Sequence, residues 1–427
     1  MRRITKESSR DVPKNRKLGA TLLASAFVAV LIAAHARADV VTEWNARAET
    51  IAVEKQILAA FNARQMAILQ VAVFEAVNAI ERRYAPYKLD LTAERSVSKD
   101  AAAAAAAHGV LLVLHPERKD ALDSALTASL AAIPEGEPKA KGVDLGRKAA
   151  AEIIALRAKD GADAPESYRP HTSAGVYVPT VVPVFSHFPA VTPFAMTSGG
   201  QFRPVAPPAL DSEVWTKDVN EIRELGARNS TVRTGEQTEI GRFWLMTGPR
   251  SYNPIARQLI AARDMDLVDC ARLLALVAIA GNDALIAVMD AKYAYNLWRP
   301  VTAIRNADIT GNKATPREAS WSPLADTPMH PEYPCAHCIT SSAVGAVLTN
   351  VLGDQIPEFS LTSTTLPGVT RKWKSVEAYN EEVAAARIYA GFHYRFSTIV
   401  GRDMGRRIGD LVAKTQLRAM PATDAAR

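Results

Sequence analysis

Helical periodicity through long apolar stretches is the feature that most constrains the fold of this chain. The stretch QILAAFNARQMAILQVAVFEAVNAIERRY places apolar residues three and four positions apart over several turns. The same spacing returns in PIARQLIAARDMDLVDCARLLALVAIAGNDALIAVMDAKYAYNLW. The strong alternation of apolar and polar residues that would indicate a β-hairpin is missing from the sequence. The sequence therefore predicts an all-α fold.

A proline-rich segment, residues 163–210, separates two helical regions. It contains the string VYVPTVVPVFSHFPAVTPF, so we expect a long ordered loop at this position. An N-terminal bundle together with this loop would span residues 39–210, and a C-terminal bundle residues 211–427. The segments VFEAVNA and VMDAKYA, one from each region, align without gaps. A short match of this kind favours two related helical bundles.

Local signals predict where several helices begin and end. The tetrapeptide TGEQ at Thr234 has the form of a capping box, and Pro300 should end the long helix that precedes it. A loop from Asn306 to Pro334 leads into the apolar helix ITSSAVGAVLTNVLG, which is followed by a short irregular stretch. The last helical region should run from Val376 to about Gln416.

The first 38 residues have the pattern of an export signal. Basic residues precede the apolar run LGATLLASAFVAVLIAA, and Ala36-Arg37-Ala38 has the small residues that signal peptidase recognises. We expect a cleaved signal and a periplasmic or secreted protein without a stable membrane span; a retained anchor is the alternative. Of the 51 Lys+Arg and 45 Asp+Glu, 43 of each follow residue 38. This neutral balance excludes a nucleic-acid partner, which would require a basic stripe.

The stretch HPEYPCAHC, residues 330–338, holds two of the three cysteines. A zinc site could draw four ligands from it, namely His330, Cys335, His337 and Cys338, but a second knuckle is missing from the sequence. A redox Cys-x-x-Cys would need a βαβ context that the sequence does not predict. A catalytic histidine at a helix start is the third interpretation, with Cys338 a small apolar helix residue.

Three segments of the C-terminal half carry cations and histidines at defined spacings. They are Lys292-x6-Arg299-Pro300, then Pro334-Cys335-Ala336-His337, and finally Arg387-x5-His393. Guanidinium groups match the oxygens of phosphate-like anions, and a lysine adds a point charge. A helix beginning near His337 would add its N-terminal amides. Together these groups predict an oxyanion site.

The two longer spacings make opposite predictions about the backbone. Lys292 and Arg299 are seven residues apart, so on a continuous helix they would lie on one face. Arg387 and His393 are six residues apart, which on an ideal helix turns them away from each other. We therefore expect a helix break between Arg387 and His393, with Gly391 as its position.

These segments resemble the signature of the vanadium-dependent haloperoxidases and the type 2 phosphatidic acid phosphatases, which share one helical fold. The family pattern is Lys-x6-Arg-Pro, Pro-Ser-Gly-His and Ser-Arg-x5-His-x3-Asp, and most of its positions are present. Three further stretches, QMAILQVAVFEAVNAIERRYAPY, SGGQFRPVAPPAL and RTGEQTEIGRFW, resemble bacterial haloperoxidase-type chains. The resemblance thus covers nearly the whole chain after the signal and implies two helical bundles of the haloperoxidase and acid phosphatase type.

The resemblance also implies roles for individual residues. His393 would bind the metal of a vanadate cofactor axially, or attack phosphorus in a phosphatase. His337 would act as the acid-base group, and His330 would tune the halide site. By the same resemblance, five residues would bind the oxygens of the cofactor: Lys292, Arg299, Cys335, Ala336 and Arg387.

Four positions depart from the family pattern. Cys335 stands for a serine hydroxyl, and a thiol is the weaker donor. Ala336 stands for a glycine, Ala386 for a serine, and Ser397 for the aspartate that would orient the axial histidine. A hydroxyl at position 397 would polarise the imidazole less than a carboxylate does. An exposed Cys335 thiol at a helix start would also be open to oxidation by peroxide.

The resemblance implies an enzyme that uses vanadate and hydrogen peroxide to oxidise a halide, with bromide as our prediction, and that halogenates an organic acceptor. Phosphate could occupy the same site, so an acid phosphatase with a histidine nucleophile is the first alternative. A periplasmic oxyanion-binding protein with little turnover is the second. The sequence is compatible with a monomer or an oligomer.

Overall fold

A computed structural model of the protein describes residues 39–421. The predicted signal, residues 1–38, and the last six residues lie outside the described part. The described chain is mainly helical, and its elements follow in this order: α1 (Val40–Glu54), α2 (Ala59–Glu81), α3 (Lys99–Leu114), α4 (Lys119–Ala131), α5 (Glu137–Arg157), α6 (Glu213–Leu225), α7 (Gly235–Phe243), α8 (Asn253–Ala262), α9 (Leu267–Tyr295), α10 (Pro300–Arg305), α11 (Ala336–Leu352), β1 (Phe359–Thr362), β2 (Thr370–Trp373), α12 (Val376–Tyr389) and α13 (Arg395–Thr415). The all-α prediction is confirmed.

Side-chain caps begin several of these helices. Thr234 Oγ1 accepts a hydrogen bond from the Gln237 amide at 3.1 Å, and the Gln237 side chain accepts one from the Thr234 amide at 2.9 Å. This reciprocal pair is the capping box that the sequence predicts. Ser98 caps α3 in a simpler way, accepting a hydrogen bond from the Ala101 amide at 3.2 Å. Each cap satisfies a backbone donor that the first helical turn leaves unpaired.

The long segment between α5 and α6 is an ordered loop with short 3-10 turns, as predicted. Buried acids of α9 hold it in place. Asp283 accepts hydrogen bonds from three successive backbone amides of the loop, at 2.8 to 3.0 Å. Asp290 pairs with both Nε and Nη2 of Arg203 at 2.7 Å. These contacts attach the loop to α9, in the C-terminal half of the chain.

Two helix triplets repeat one packing arrangement. In the first, α2 and α5 pack on α3; in the second, α9 and α13 pack on α11. Glycines bring the helices together, because a Cβ added at Gly146 of α5 would lie 2.2 Å from the Ala102 carbonyl oxygen. A Cβ added at Gly405 of α13 would lie equally close to the Ile339 carbonyl oxygen. Larger residues would separate both pairs of helices.

One hydrophobic core contains residues of both triplets. The boundary between two bundles near residue 210 therefore stays a prediction. Helix α9 lies within this core. Its length and apolar composition would suit a membrane-crossing helix, but its most apolar window is wholly buried inside the protein.

A two-stranded hairpin is the element that the sequence analysis missed. Strands β1 and β2 pair antiparallel, with Phe359 opposite Trp373. The stretch had been expected to be irregular, and that expectation is wrong. Both aromatic rings are buried and pack against each other with centroids 5.9 Å apart. Cross-strand aromatic contact therefore stabilises strands that are only four residues long.

Candidate active site

A cavity of about 380 Å³ lies at the N-terminal end of α11. Five of the residues predicted for the oxyanion site line it: His330, Ala336, His337, Arg387 and His393. Two more predicted residues, Lys292 and Arg299, are buried nearby: Arg299 contacts the lining residues His330 and His393, and Lys292 bonds to the loop that follows His330. The structure therefore brings the three sequence segments into one place.

Lys292 and Arg299 do not share a continuous helix, so the prediction of a common helical face is wrong. Helix α9 ends at Tyr295, and Asn296 adopts a left-handed conformation with φ +49°. Arg299 then serves as the N-cap residue of α10. Asparagine tolerates this conformation better than most residues, which explains how the helix can end before the proline. The turn places Arg299 beside the loop that Lys292 also contacts.

The Lys292 ammonium group holds the loop before α11. It is fully buried and donates hydrogen bonds to the carbonyl oxygens of Pro331 at 3.0 Å and Glu332 at 2.7 Å. Burial, together with the charges of Arg299 and Arg387, lowers the pKa of Lys292 well below its usual range. The ammonium group thus lacks a fully compensating negative charge at close range.

Arg299 connects two of the site histidines. Its Nε donates to the His330 carbonyl oxygen at 2.9 Å, and its Nη2 donates to His330 Nδ1 at 3.0 Å. Its Nη1 donates to the Phe392 carbonyl oxygen at 3.1 Å and lies 3.4 Å from His393 Nε2. His330 Nδ1 also lies 3.2 Å from the Pro331 carbonyl oxygen, so this nitrogen faces both a donor and an acceptor.

The predicted break between Arg387 and His393 is present. Helix α12 ends at Tyr389, and Gly391 follows with φ +80°. A Cβ at Gly391 would lie 2.6 Å from the Gly226 carbonyl oxygen, so both the backbone angle and the space require glycine. The break turns Arg387 and His393 toward the same cavity.

Arg387 is buried but only partly bonded. Its Nη1 donates to the Trp244 carbonyl oxygen at 2.6 Å, and its guanidinium carbon lies 4.8 Å from the centre of the Phe392 ring. Its Nε has no hydrogen-bond partner among residues 39–421. Burial and the charge of Arg299 lower the pKa of Arg387 to about 9. A buried donor without a partner is costly, so this group favours an anion in the cavity.

Glu332 is the functional residue that sequence reasoning missed. Its Oε1 lies 2.7 Å from His393 Nδ1 and accepts a hydrogen bond from the Tyr394 amide at 3.1 Å. Burial raises the pKa of Glu332 to about 7, against the lowering effect of Lys292 and Arg299. Glu332 thus supplies a carboxyl group beside His393, where Ser397 replaces the aspartate of the family pattern; the Ser397 hydroxyl has no hydrogen-bond partner among the described residues. The signal was an acid between Pro331 and Tyr333, inside the HPEYPCAHC stretch.

The contact with Glu332 decides the state of His393. A carboxylate accepts, so Nδ1 carries the proton and Nε2 of the neutral imidazole keeps its lone pair. Burial, followed by the positive charges of Arg299 and Lys292, lowers the pKa of His393 well below its usual range. His393 therefore presents an unprotonated nitrogen, as a metal ligand or nucleophile requires.

His337 lies in the first turn of α11, on the wall of the cavity. Its Nε2 lies 3.1 Å from the Met246 carbonyl oxygen, which can only accept. Burial and the charge of Arg387 lower the pKa of His337 well below its usual range. In the neutral ring Nδ1 is then the free acceptor, which is the state of a general base.

The two cysteines of the HPEYPCAHC stretch form a disulfide, which corrects the prediction of free thiols at Cys335 and Cys338. Both residues are buried. The Cys335 sulfur accepts a hydrogen bond from the Cys338 amide at 3.2 Å and so caps α11. A disulfide sulfur has no proton to donate to an oxyanion, and neither thiolate is free to bind zinc. Ala336, the first residue of α11, lines the cavity beside this cap.

The donors around the cavity suit a tetrahedral oxyanion such as vanadate or phosphate. Three buried cations surround it, and Glu332 is the buried carboxylate that the described structure places among them. The unpartnered Nε of Arg387 and the N-terminal turn of α11 add hydrogen-bond donors. His393 Nε2 offers a lone pair at the same cavity. The residues present therefore fit the cofactor that the motif resemblance implies.

Comparisons with known proteins agree with this geometry. Residues 272–421 match the family described as the second helical-bundle domain of VCPO. The vanadium chloroperoxidase of Curvularia inaequalis is 25% identical over 240 residues, which cover 42% of this chain and 39% of the fungal protein.

Solved structures extend the similarity to most of the chain. The structure of a bacterial vanadium-dependent iodoperoxidase has a TM-score of 0.76 and 26% identity, and the alignment covers 90% of this chain and 97% of that one. A bacterial vanadium-dependent chloroperoxidase has a TM-score of 0.67 and 18% identity, with 84% and 94% covered, and shows the shared fold. This chain is therefore similar in fold to vanadium-dependent haloperoxidases, and its Lys292, Arg299, Arg387 and His393 lie together beside one cavity.

Proposed function

We propose that the protein is a vanadate-dependent haloperoxidase that uses hydrogen peroxide to oxidise a halide. The observation that carries this proposal is the Glu332–His393 pair at the base of a cavity surrounded by cations. It supplies an unprotonated nitrogen together with donors for the oxygens of an anion. Chain similarity to an iodoperoxidase and a chloroperoxidase supports the same reaction class.

The residues would divide the binding of vanadate between them. His393 Nε2 would bind the vanadium, while Lys292, Arg299 and Arg387 would neutralise its oxygens. When bound, vanadate supplies the electrophilic centre that activates hydrogen peroxide toward a halide. The cations are buried and already held by backbone carbonyls, so little reorganisation is needed when charge develops there.

Two histidines would control protons around the bound anion. Glu332 keeps the proton of His393 on Nδ1, so that Nε2 stays available. The Met246 carbonyl keeps the proton of His337 on Nε2, which leaves Nδ1 free to take a proton from peroxide. Both tautomers follow from a partner that only accepts, the Glu332 carboxylate for His393 and the Met246 carbonyl for His337.

The choice of halide is the finer part of the proposal. Bromide is the prediction from sequence. The disulfide removes the donor that serine supplies elsewhere in the family, so charge stabilisation in the cavity is weaker. Weaker activation favours halides that lose electrons more readily, which places iodide and bromide ahead of chloride.

The test is a peroxide-dependent halide oxidation assay of the purified protein, with and without added vanadate, using iodide, bromide and chloride. We expect vanadate-dependent oxidation of iodide and bromide that is lost in His393→Ala. A control variant, Ser98→Ala, lies at the matching cap of α3 and should keep full activity. Failure of vanadate-loaded wild-type protein to oxidise any halide would refute the proposal, and phosphohistidine at position 393 would favour the phosphatase.

We also propose that the protein is exported, as the pattern of residues 1–38 indicates. The Cys335–Cys338 disulfide supports this location, because disulfides persist in oxidising compartments. The mass and N-terminal sequence of protein recovered from the periplasm or medium test the proposal. Recovery of the full-length chain only from the cytoplasm would refute it.

A further inference from the structure

The cavity extends beyond the residues that suit the oxyanion. Cavities that take drug-sized ligands begin at about 300 Å³, and this one measures about 380 Å³. Away from the cations much of its wall is apolar and includes Phe185, Leu285, Met289 and Val383, although polar side chains, among them that of Asp326, also line it. A halide and peroxide do not need an apolar wall of this size.

Phe185 is the unusual member of this wall. It comes from the proline-rich loop, is 6% exposed, and has φ +65°. A bulky aromatic residue rarely adopts the left-handed conformation, because its side chain then crowds the backbone. Such strain persists only where neighbouring contacts impose it, so the position of this ring is specified by the structure around it.

Identifiable hydrogen bonds impose that conformation. The two carboxylate oxygens of Glu166 accept from the Phe185 amide at 2.7 Å and the Ser186 amide at 2.6 Å. The neighbouring Val184 carbonyl accepts a hydrogen bond from the Tyr293 hydroxyl at 2.5 Å, and the Val184 amide donates to the Met329 carbonyl at 2.9 Å. The ring is thus attached to α9 and to the loop that carries His330.

Other aromatic rings fix the orientation of Phe185. Phe61 and Phe188 contact it edge to face, with centroids 5.7 Å and 5.2 Å away. Edge-to-face contacts of this kind are directional and favour a single ring orientation. Phe185 lines the cavity, whereas Phe61 and Phe188 support it from outside the lining. The ring is therefore a rigid aromatic surface on the wall of the active site.

We propose that the organic acceptor binds in this cavity against Phe185 and is halogenated there, before the oxidised halogen reaches the solvent. This inference rests on the proposed function. The acceptor class is an electron-rich aromatic molecule of one or two rings, such as a phenol or naphthol. An apolar ring would pack on Phe185, and the cationic base of the cavity would favour an electron-rich or anionic oxygen substituent.

The chemistry balances with the reactants of the proposed function. Halide, hydrogen peroxide and one proton give hypohalous acid and water, so the halide is oxidised by two electrons and the peroxide is reduced. The aromatic carbon then forms a bond to the halogen as the halogen–oxygen bond breaks. The ring loses its proton to the released hydroxide, which leaves as water.

The test compares wild-type protein with Phe185→Ala and with the matched control Phe61→Ala, which removes a ring of the same cluster from outside the cavity. Halide oxidation is measured as triiodide formation without an organic acceptor. Binding of 2-naphthol is measured without peroxide, through its own fluorescence. A further variant, Phe185→Leu, keeps apolar bulk without the aromatic face, and its triiodide rate reports whether the site has folded.

We expect triiodide rates within twofold of wild type in every variant. For Phe185→Ala, the Kd for 2-naphthol and its KM in iodination should both rise about tenfold, since an aromatic contact contributes up to about 1.5 kcal/mol. Phe61→Ala should change both constants less than twofold, because Phe188 and the two hydrogen bonds to Glu166 still hold the Phe185 ring. Equal 2-naphthol binding by wild type and both Phe185 variants, or none by wild type, with normal triiodide formation would overturn this inference alone. The absence of triiodide from wild type would instead overturn the proposed function.

Discussion

The triplet of α2, α3 and α5 and the triplet of α9, α11 and α13 pack in the same manner, yet the cation-rich cavity lies at the capped end of α11, in the second triplet, and only the first residues of α2 contribute to its described lining. In both, a glycine lies against the carbonyl of the residue that caps the central helix. A Cβ at Gly142 would lie 2.5 Å from the Ser98 carbonyl oxygen, and one at Gly401 would lie 2.8 Å from the Cys335 carbonyl oxygen. The caps themselves also match, with a sulfur in place of a hydroxyl.

The side chains around these matching frames differ in charge. The segments VFEAVNA and VMDAKYA place Val77 of α2 at the position of Lys292 of α9. Counted from the caps, Asp100 of α3 takes the position of His337 of α11. A carboxylate in the first turn repels an anion, whereas a neutral histidine allows one to approach. The two triplets therefore share their helix packing, and a few different side chains distinguish the triplet that contributes to the oxyanion site.

The largest effect is expected when Lys292 of α9 is replaced by valine, the residue at the corresponding position of α2. Lys292→Val should weaken vanadate binding by about 100- to 1000-fold, because it removes a buried charge and releases the carbonyls of Pro331 and Glu332. Titration of the purified variant with vanadate, followed by calorimetry, measures the effect. Val77→Ala is the matched control and should lower the free energy of unfolding without changing vanadate affinity. An unchanged Kd in Lys292→Val would remove the lysine from the site.

Substitutions of Glu332 test whether a carboxylate is needed to orient His393. Glu332→Ala should lower halide oxidation about 100-fold, since outer partners of metal-binding histidines typically contribute 10- to 100-fold. Glu332→Gln retains an oxygen that can accept from His393 Nδ1 and should lose only about tenfold. The control is Glu75→Gln in α2, whose carboxylate accepts the amides of Lys88 and Leu89 at 2.8 and 3.0 Å. Equal losses in Glu332→Gln and Glu75→Gln would assign Glu332 a purely structural role.

The shared glycine packing predicts equal stability effects and unequal functional ones. Gly146→Ala and Gly405→Ala should each lower the free energy of unfolding by about 1–3 kcal/mol, since each methyl would overlap a backbone carbonyl. Denaturant unfolding measures both. Only Gly405→Ala should also weaken vanadate binding, because it displaces α11. Weakened binding in Gly146→Ala would mean that the two triplets are coupled more closely than their packing indicates.

The smallest expected effect concerns the helix caps. Replacing the disulfide with Cys335→Ser and Cys338→Ala would restore a hydroxyl donor and should strengthen vanadate binding by about tenfold, the scale of one hydrogen bond to a charged group. Ser98→Ala at the other cap should cost about 1 kcal/mol of stability and leave vanadate binding unchanged. Weaker binding in the double variant would show that the disulfide itself positions α11.

Much of the fold followed from local sequence signals. Helical periodicity predicted the helices, and the six-residue spacing of Arg387 and His393 predicted the break at Gly391. Both depend on residues close together in the chain. The end of α9 at Asn296 was missed because the left-handed conformation of one asparagine has no periodic signature. The hairpin was missed because its strands are short and depend on packing between distant aromatic residues.

The residues of the candidate site also fall into those that the sequence predicted and those that it did not. The motif spacing predicted five site residues, and the structure places all five in or beside one cavity: Lys292, Arg299, His337, Arg387 and His393. Glu332 could not be paired with His393 from sequence, because 61 residues separate them and the contact depends on how two loops meet. The Cys335–Cys338 disulfide was within reach of the spacing alone, since one helical turn separates the two residues.

The buried cations have a consequence for the stability of the whole protein. Lys292, Arg299 and Arg387 are held by carbonyl oxygens, and their mutual repulsion opposes folding. An oxyanion that binds only the folded state therefore acts as a stabilising ligand, contributing about 2.7 kcal/mol at a hundred times its Kd. The melting temperature becomes a readout of site occupancy that needs neither peroxide nor halide. Phosphate, which is abundant where vanadate is scarce, would then protect the fold while it competes for the site.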